Sequence, residues 1–207
     1  MRGRRPLPRV HAVTDAAVLR LADLGVRAAA LASAGSGVAL HARDRTALAG
    51  SLAAAAARFV TLARPPEAAV FVNARADVAA AVGAQGVQLG AADLAPGDAR
   101  HLLPTGWIGR SVHTLDEASA ACDEGADYLV AGPVYRTATH PDRAGTGPGL
   151  VTSCAALGLP VIAIGGVTGG QLPELLEAGA YGVAAIRGLW LVADPARTAA
   201  EWLQVLT

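Results

Sequence analysis
The chain has 207 residues, 53% of them hydrophobic and only 4% aromatic, a size and composition that suit one α/β barrel domain with an aliphatic core. Its basic and acidic side chains balance at 17 each, and without a basic surplus nucleic acid and anionic membrane are excluded as main partners. No charge-free apolar run reaches about 18 residues, and the basic start (Arg2, Arg4, Arg5) leads into Pro6 and Pro8, so neither a membrane-spanning helix nor a signal peptide is expected. Residues 1–8 read as a frayed end, and Cys122 and Cys154, far apart and without metal-ligand spacing, read as reduced thiols of a cytoplasmic protein.

Short apolar runs alternate with alanine- and leucine-rich amphipathic stretches throughout. Strands are expected at Val10–Val13, Gly37–His41, Ala69–Asn73, Gly86–Leu89, Trp107–Val112, Tyr128–Ala131, Val161–Ile164 and Gly182–Ile186. Helices are expected at 16–34, 45–62, 76–82, 96–103, 115–124, 150–157, 171–178 and 195–206, with Thr114 as an N-cap. The strands are continuously apolar, which implies a parallel sheet covered on both faces. Strict repetition of the strand–helix unit, with no linker, favours a single (β/α)8 TIM barrel over residues 1–207 rather than an open sheet.

In such a barrel the chemistry sits at the C-terminal ends of the strands. Polar residues fall there repeatedly: Asp15, His41 and Arg43, Asn73, Asp93, Ser111 and His113, Thr137 to His140, Gly165-Gly166, and Ile186-Arg187-Gly188. The stretch from Gly132 to Gly149 is long, polar and glycine-punctuated, which reads as a binding loop or as a solvated surface loop. Gly165-Gly166 and Ile186-Arg187-Gly188 end the last two strands, where barrels often hold phosphate on backbone N–H groups. Asp93 is a candidate Mg²⁺ ligand or an N-cap of the following helix; Asn73 can serve a phosphate or a heterocycle, or tie down its turn. His41 and His140 are the acid–base candidates by residue type. No serine–histidine–acid set or clustered metal motif is visible.

Read together, Val72-Asn73-Ala74-Arg75, Val87 to Leu94, Gly109 to His113, Gly125-Ala126-Asp127-Tyr128, Gly132 to Thr139 and Ala163 to Val167 resemble the thiamine phosphate synthase family, which includes the thiazole tautomerases. The resemblance implies a barrel joining hydroxymethylpyrimidine diphosphate to thiazole phosphate, with Mg²⁺ and loss of pyrophosphate. Carried over residue by residue, Asn73, Arg43 and Ser111 would contact the diphosphate and Asp93 would bind Mg²⁺. Thr137 and Thr139 would line the thiazole phosphate site, with Gly165 and Gly166 as backbone donors. Its partners would be these phosphorylated small molecules, with a homo-oligomer allowed.

The chain departs from the family pattern mainly on the diphosphate–metal side. Ala74 stands where a second metal carboxylate is usual; Ala39 and His41 replace a glutamine and an arginine, Arg43 and His140 each replace a lysine, and Arg187 replaces a phosphate-loop serine. Two alternatives stay open: a metal-independent tautomerase acting on a thiazole carboxylate phosphate, and a non-catalytic phosphate-ligand binding or regulatory protein. The tautomerase branch's histidine after Gly132 is Pro133 here, so His41 or His140 would have to carry the proton.

Overall fold
The structure is a computed structural model that describes residues 5–64, 67–137 and 145–207. Eight parallel strands close into a barrel in sequence order: β1 (Val10–Val13), β2 (Val38–Ala42), β3 (Ala69–Asn73), β4 (Gly86–Leu89), β5 (Trp107–Val112), β6 (Tyr128–Ala131), β7 (Val161–Ile164) and β8 (Gly182–Ala185), with β8 pairing back to β1. Around them run α1 (Ala16–Leu19), α2 (Leu24–Ala32), α3 (Ala49–Leu62), α4 (Ala76–Val82), α5 (Pro96–Leu102), α6 (Leu115–Asp123), α7 (Pro148–Ala155), α8 (Leu172–Glu177), α9 (Arg187–Trp190) and α10 (Pro195–Leu206). The expected TIM barrel is therefore the observed fold. None of the described helices is long and apolar enough to cross a membrane.

Side chains alternate across each strand. Val10, Ala12, Val38, Leu40, Val70 and Val72 belong to the large cluster packed with the helices. Val13, Ala39, Phe71, Tyr128, Val130, Ile162 and Ala184 form a second cluster inside the barrel, joined by Leu7 from below. Period-two alternation puts His11, His41, Asn73, Gln88 and Ser111 on that inner face. The interior is crowded with rings: His11 lies 5.6 Å from Phe71 and 5.8 Å from Tyr128, and His41 stacks on Phe71 at 5.0 Å between centroids. Glycine makes the room. A Cβ on Gly86 would come within 2.4 Å of the Phe71 ring, and one on Gly109 within 2.2 Å of Gln88 Oε1 and of the Tyr128 ring.

Three helix boundaries differ from expectation for local reasons. The helix expected over 16–34 is two: Asp15 caps α1, and the Arg20 and Leu21 N–H groups bond back to the Ala17 and Val18 carbonyls, closing the turn. Asp23 then opens α2 and its carboxylate takes Arg27 Nε at 2.8 Å. The next helix begins at Ala49 rather than Arg45, because Asp44 Oδ1 accepts from both the N–H and the hydroxyl of Thr46, a side-chain turn that competes with helix. Pro148 at the first turn starts α7 early. The short α9 was not expected.

The lower end corrects the expectation of a fray over 1–8, as far as residues 5–8 are concerned. Leu7 and Pro8 are buried. Tyr181 Oη donates to the Leu7 carbonyl at 2.7 Å, Trp107 Nε1 donates to the Arg5 carbonyl at 3.2 Å, and Arg9 bonds the Tyr181 carbonyl at 2.8 Å while lying over its ring. The segment plugs the barrel floor.

Because Gly109 faces rigid interior groups, Gly109→Ala is expected to destabilise the protein by about 2–3 kcal/mol through overpacking. Gly50→Ala on α3, where an added Cβ meets nothing within 4 Å, is expected to be neutral or stabilising by up to ~1 kcal/mol. Urea midpoints of the two variants against the parent check the contrast.

Candidate active site
The strands being parallel and closed, their C-terminal ends form one rim. β3 and β4 place Asn73 beside Gln88, β4 and β5 place Gln88 beside Gly109, and Ser111 lies one inward position further along β5. The Gln88 side chain bridges upward, donating from Nε2 to Ser111 Oγ at 3.0 Å. Gln88 Oε1 and Tyr128 Oη are buried and lack a hydrogen-bond partner, and both abut the missing Cβ of Gly109. Ser111 is thus oriented from below by an amide that the rings hold in place.

A second polar chain climbs the opposite side. His11 Nε2 is 2.9 Å from the Pro8 carbonyl, His11 Nδ1 is 2.8 Å from His41 Nε2, and His41 Nδ1 is 3.1 Å from Asn73 Oδ1. Both rings are buried. Burial pushes His11 down to about 4, against the Pro8 hydrogen bond that raises it. Burial first, then the neighbouring His11, push His41 well below the ordinary histidine value. Both rings are therefore neutral at pH 7. His41 has no ring nitrogen left for a substrate proton, so the expectation that it acts as an acid or base is set aside.

Above this chain Thr14 locks the β1 and β2 ends. Its hydroxyl sits 2.9 Å from the His41 carbonyl and 3.0 Å from the Arg43 carbonyl, and accepts from the Arg43 N–H at 2.8 Å. Arg43 is half-buried at the rim; burial and Arg45 weaken its hold on its proton, and Asp15 and Asp44 oppose them. It remains a cation, as arginine does throughout the working pH range.

Asp93 ties its own turn: Oδ2 accepts from the Gly90 N–H at 2.6 Å. It does not cap α5, whose N-cap is Ala95. Ala74 follows Asn73 in the left-handed region at φ 67° and donates its N–H to the Gln88 carbonyl. Among the described residues no group of three or more His, Cys, Asp or Glu could hold a metal ion. One carboxylate fits Mg²⁺ only as a partner of substrate phosphates, since that ion commonly takes one or two carboxylates, phosphate oxygens and water.

On the far side the β6 loop lies over the β7 tip. Val134 N–H bonds the Ile164 carbonyl at 2.8 Å and Tyr135 N–H the Gly165 carbonyl at 2.9 Å. Gly165 and Gly166 have φ of 102° and 67°, and a Cβ on either would come within 2.6 Å of the 133–136 backbone. Both conformation and space demand glycine here. Thr137, next along the β6 loop, is half-buried. Ile186 is half-buried and precedes α9, on whose first residue Arg187 is exposed. Thr139 and His140 lie outside the described residues. His113 ties rim to rim instead: Nδ1 bonds the Gly132 carbonyl, and its N–H donates to Glu117 at 2.6 Å.

A family model described as thiamine monophosphate synthase matches residues 10–189. The chain belongs to this family. A thiamine-phosphate synthase of Thermus thermophilus is 43% identical over 144 residues, 69% of each chain. One of Mycobacterium tuberculosis is 43% identical over 169 residues, 80% of this chain and 72% of that one. Among solved structures, a thiamine phosphate pyrophosphorylase from Pyrococcus furiosus superposes with a TM-score of 0.81 at 31% identity, covering 96% of this chain and 95% of the other. His11, Gln88 and Tyr128 receive no role from residue type or from the resemblance, and His41 receives one that its enclosure opposes. Their signal was present as polar side chains at period two on otherwise apolar strands.

The neutral histidines make folding pH-dependent. The unfolded chain protonates these rings near 6.5, whereas the folded protein binds the His11 proton only near 4, so stability falls as pH drops from about 6.5 towards 4. The slope is about 1.4 kcal/mol per pH unit for each ring. Thermal melts between pH 7.5 and 4.5 are expected to show a falling midpoint, with a shallower fall in His11→Phe.

Proposed function
We propose that the chain is a thiamine-phosphate synthase, joining hydroxymethylpyrimidine diphosphate to thiazole phosphate with release of pyrophosphate. The observation that carries this reading is the 43% identity to enzymes of that name; the barrel supports it by setting Arg43, Asn73, Ser111, Thr137 and Gly165-Gly166 at or just beyond the C-terminal ends of its strands.

Arg43 and Ser111 grip the diphosphate and Asn73 contacts the same substrate. Charge grows on pyrophosphate as its bond to the pyrimidine methylene breaks, and Arg43, held in a partly buried site, favours that growth. Magnesium carried by the diphosphate and met by Asp93 would add positive charge at the same place. Thr137, Thr139, Gly165, Gly166 and the Ile186-Arg187 turn hold the thiazole phosphate, which brings the thiazole nitrogen to the electron-poor methylene as the pyrophosphate leaves. The covering of Gly165-Gly166 by the β6 loop supports one phosphate cradle made by both loops. The tautomerase alternative has less support, because the relatives at 43% identity are named synthases and both ring nitrogens of His41, one of its two proton candidates, are engaged within the protein. The protein's substrates are phosphorylated small molecules, and the cytoplasm is the compartment in keeping with two free cysteines.

Pyrophosphate release is expected to require both substrates and Mg²⁺. Asn73→Ala and Ser111→Ala are each expected to lower kcat/KM about 10- to 100-fold, a loss of about 1.4–2.7 kcal/mol. Asp93→Asn is expected to raise the Mg²⁺ concentration for half-maximal rate about tenfold, the share of one charge-assisted contact. A coupled pyrophosphate assay measures all three; release that ignores chelation of Mg²⁺ would overturn the synthase reading.

A further inference from the structure
The buried histidine chain has a direction that can be read from one end. The Pro8 carbonyl only accepts, so His11 Nε2, 2.9 Å away, carries a proton and donates it. A neutral His11 then presents a bare Nδ1, and His41 Nε2, 2.8 Å away, must be the donor. A neutral His41 in turn presents a bare Nδ1 to Asn73 at 3.1 Å. Two acceptors cannot satisfy each other. A half-turn of the carboxamide exchanges Oδ1 and Nδ2 with little change of shape, and the hydrogen-bond network decides which is which. With Nδ2 turned to His41, every donor in the chain meets an acceptor.

The alternative puts a second proton on His41, and its surroundings oppose that. Phe71 stacks on the ring, His11 and beyond it Tyr128 lie on the inner side, and no carboxylate belongs to either the His11 or the Asn73 contact. The charged side chain nearest in sequence, Arg43, is itself a cation.

We propose that His11 and His41 are positioning residues: a one-way chain of N–H donors from Asn73 down to the Pro8 carbonyl, which holds the Asn73 carboxamide with its oxygen towards the pocket. The rim then offers an acceptor at this point. It suits an N–H donor, such as the amino group of an aminopyrimidine, and not a phosphate oxygen. This last step rests on the synthase reading; the direction of the chain does not.

Nitrogen-15 NMR of the ring nitrogens in the full chain at pH 7.5 tests the direction without any ligand. Both rings are expected to be neutral with the proton on Nε2. His11→Phe, which keeps an aromatic ring among Phe71 and Tyr128 but removes the acceptor below His41, is expected to move the His41 proton to Nδ1. A wild-type His41 that is cationic, or protonated on Nδ1, would overturn the proposal whether or not the variant folds. For the consequence at the rim, Asn73→Ala is expected to weaken binding of the unphosphorylated hydroxymethyl-aminopyrimidine about five- to tenfold and to leave inorganic pyrophosphate within twofold. The reverse pattern would overturn the outward oxygen. If the wild type binds neither probe, it is the synthase reading that fails, and the ring tautomers alone decide the chain.

Discussion
Everything at the rim depends on how the inside of a closed eight-stranded barrel can be filled. Each strand contributes every second side chain to a narrow shaft, and the shaft has to be packed without voids. Here Phe71, Tyr128, His11 and His41 occupy it, and Gly86 and Gly109 yield the space. The rings and Gln88 bring nitrogen and oxygen atoms into a buried region, where all but Gln88 Oε1 and Tyr128 Oη find partners within the protein. The two polar chains, one ending on Asn73 and one on Ser111, follow from that pairing. Orientation of the pocket residues is thus a by-product of filling the core.

Much of this was legible in the residues. The eight strands were visible because both faces of each are covered, leaving continuous apolar runs such as Val161–Ile164 and Tyr128–Ala131. The rim was visible because Asn73, Asp93 and Ser111 interrupt the pattern at strand ends. Local turn chemistry was less legible: Asp44 and Thr46 hold a turn where alanine-rich sequence suggested helix. The role of His41 was misread, since residue type says that an imidazole can titrate but not that Phe71 and His11 will enclose it. The N-terminal segment was misread for a similar reason. Pro6, Pro8 and the neighbouring arginines look like a solvated tail, and nothing local announces that Leu7 closes the floor.

The departures from the family pattern become coherent in the fold. On the proposed diphosphate side, histidine at position 41 gives up a permanent charge, and Ala74 gives up a carboxylate of opposite sign. The two losses partly cancel in net charge. The phosphate cradle proposed at Gly165 and Gly166 would be less sensitive to such exchanges, because its shape comes from main chain.

The plug formed by residues 5–9 has a reach beyond its own end of the molecule. The Pro8 carbonyl is the terminal acceptor of a row of side chains whose other tip is at the opposite mouth. A fusion partner, affinity tag or trimming that pulls this segment out of the floor would take away the sink into which that row drains. Catalysis would then suffer from a change made a full strand-length below the reacting atoms, so the carboxyl terminus, after Leu206, is the safer place to attach anything to this enzyme.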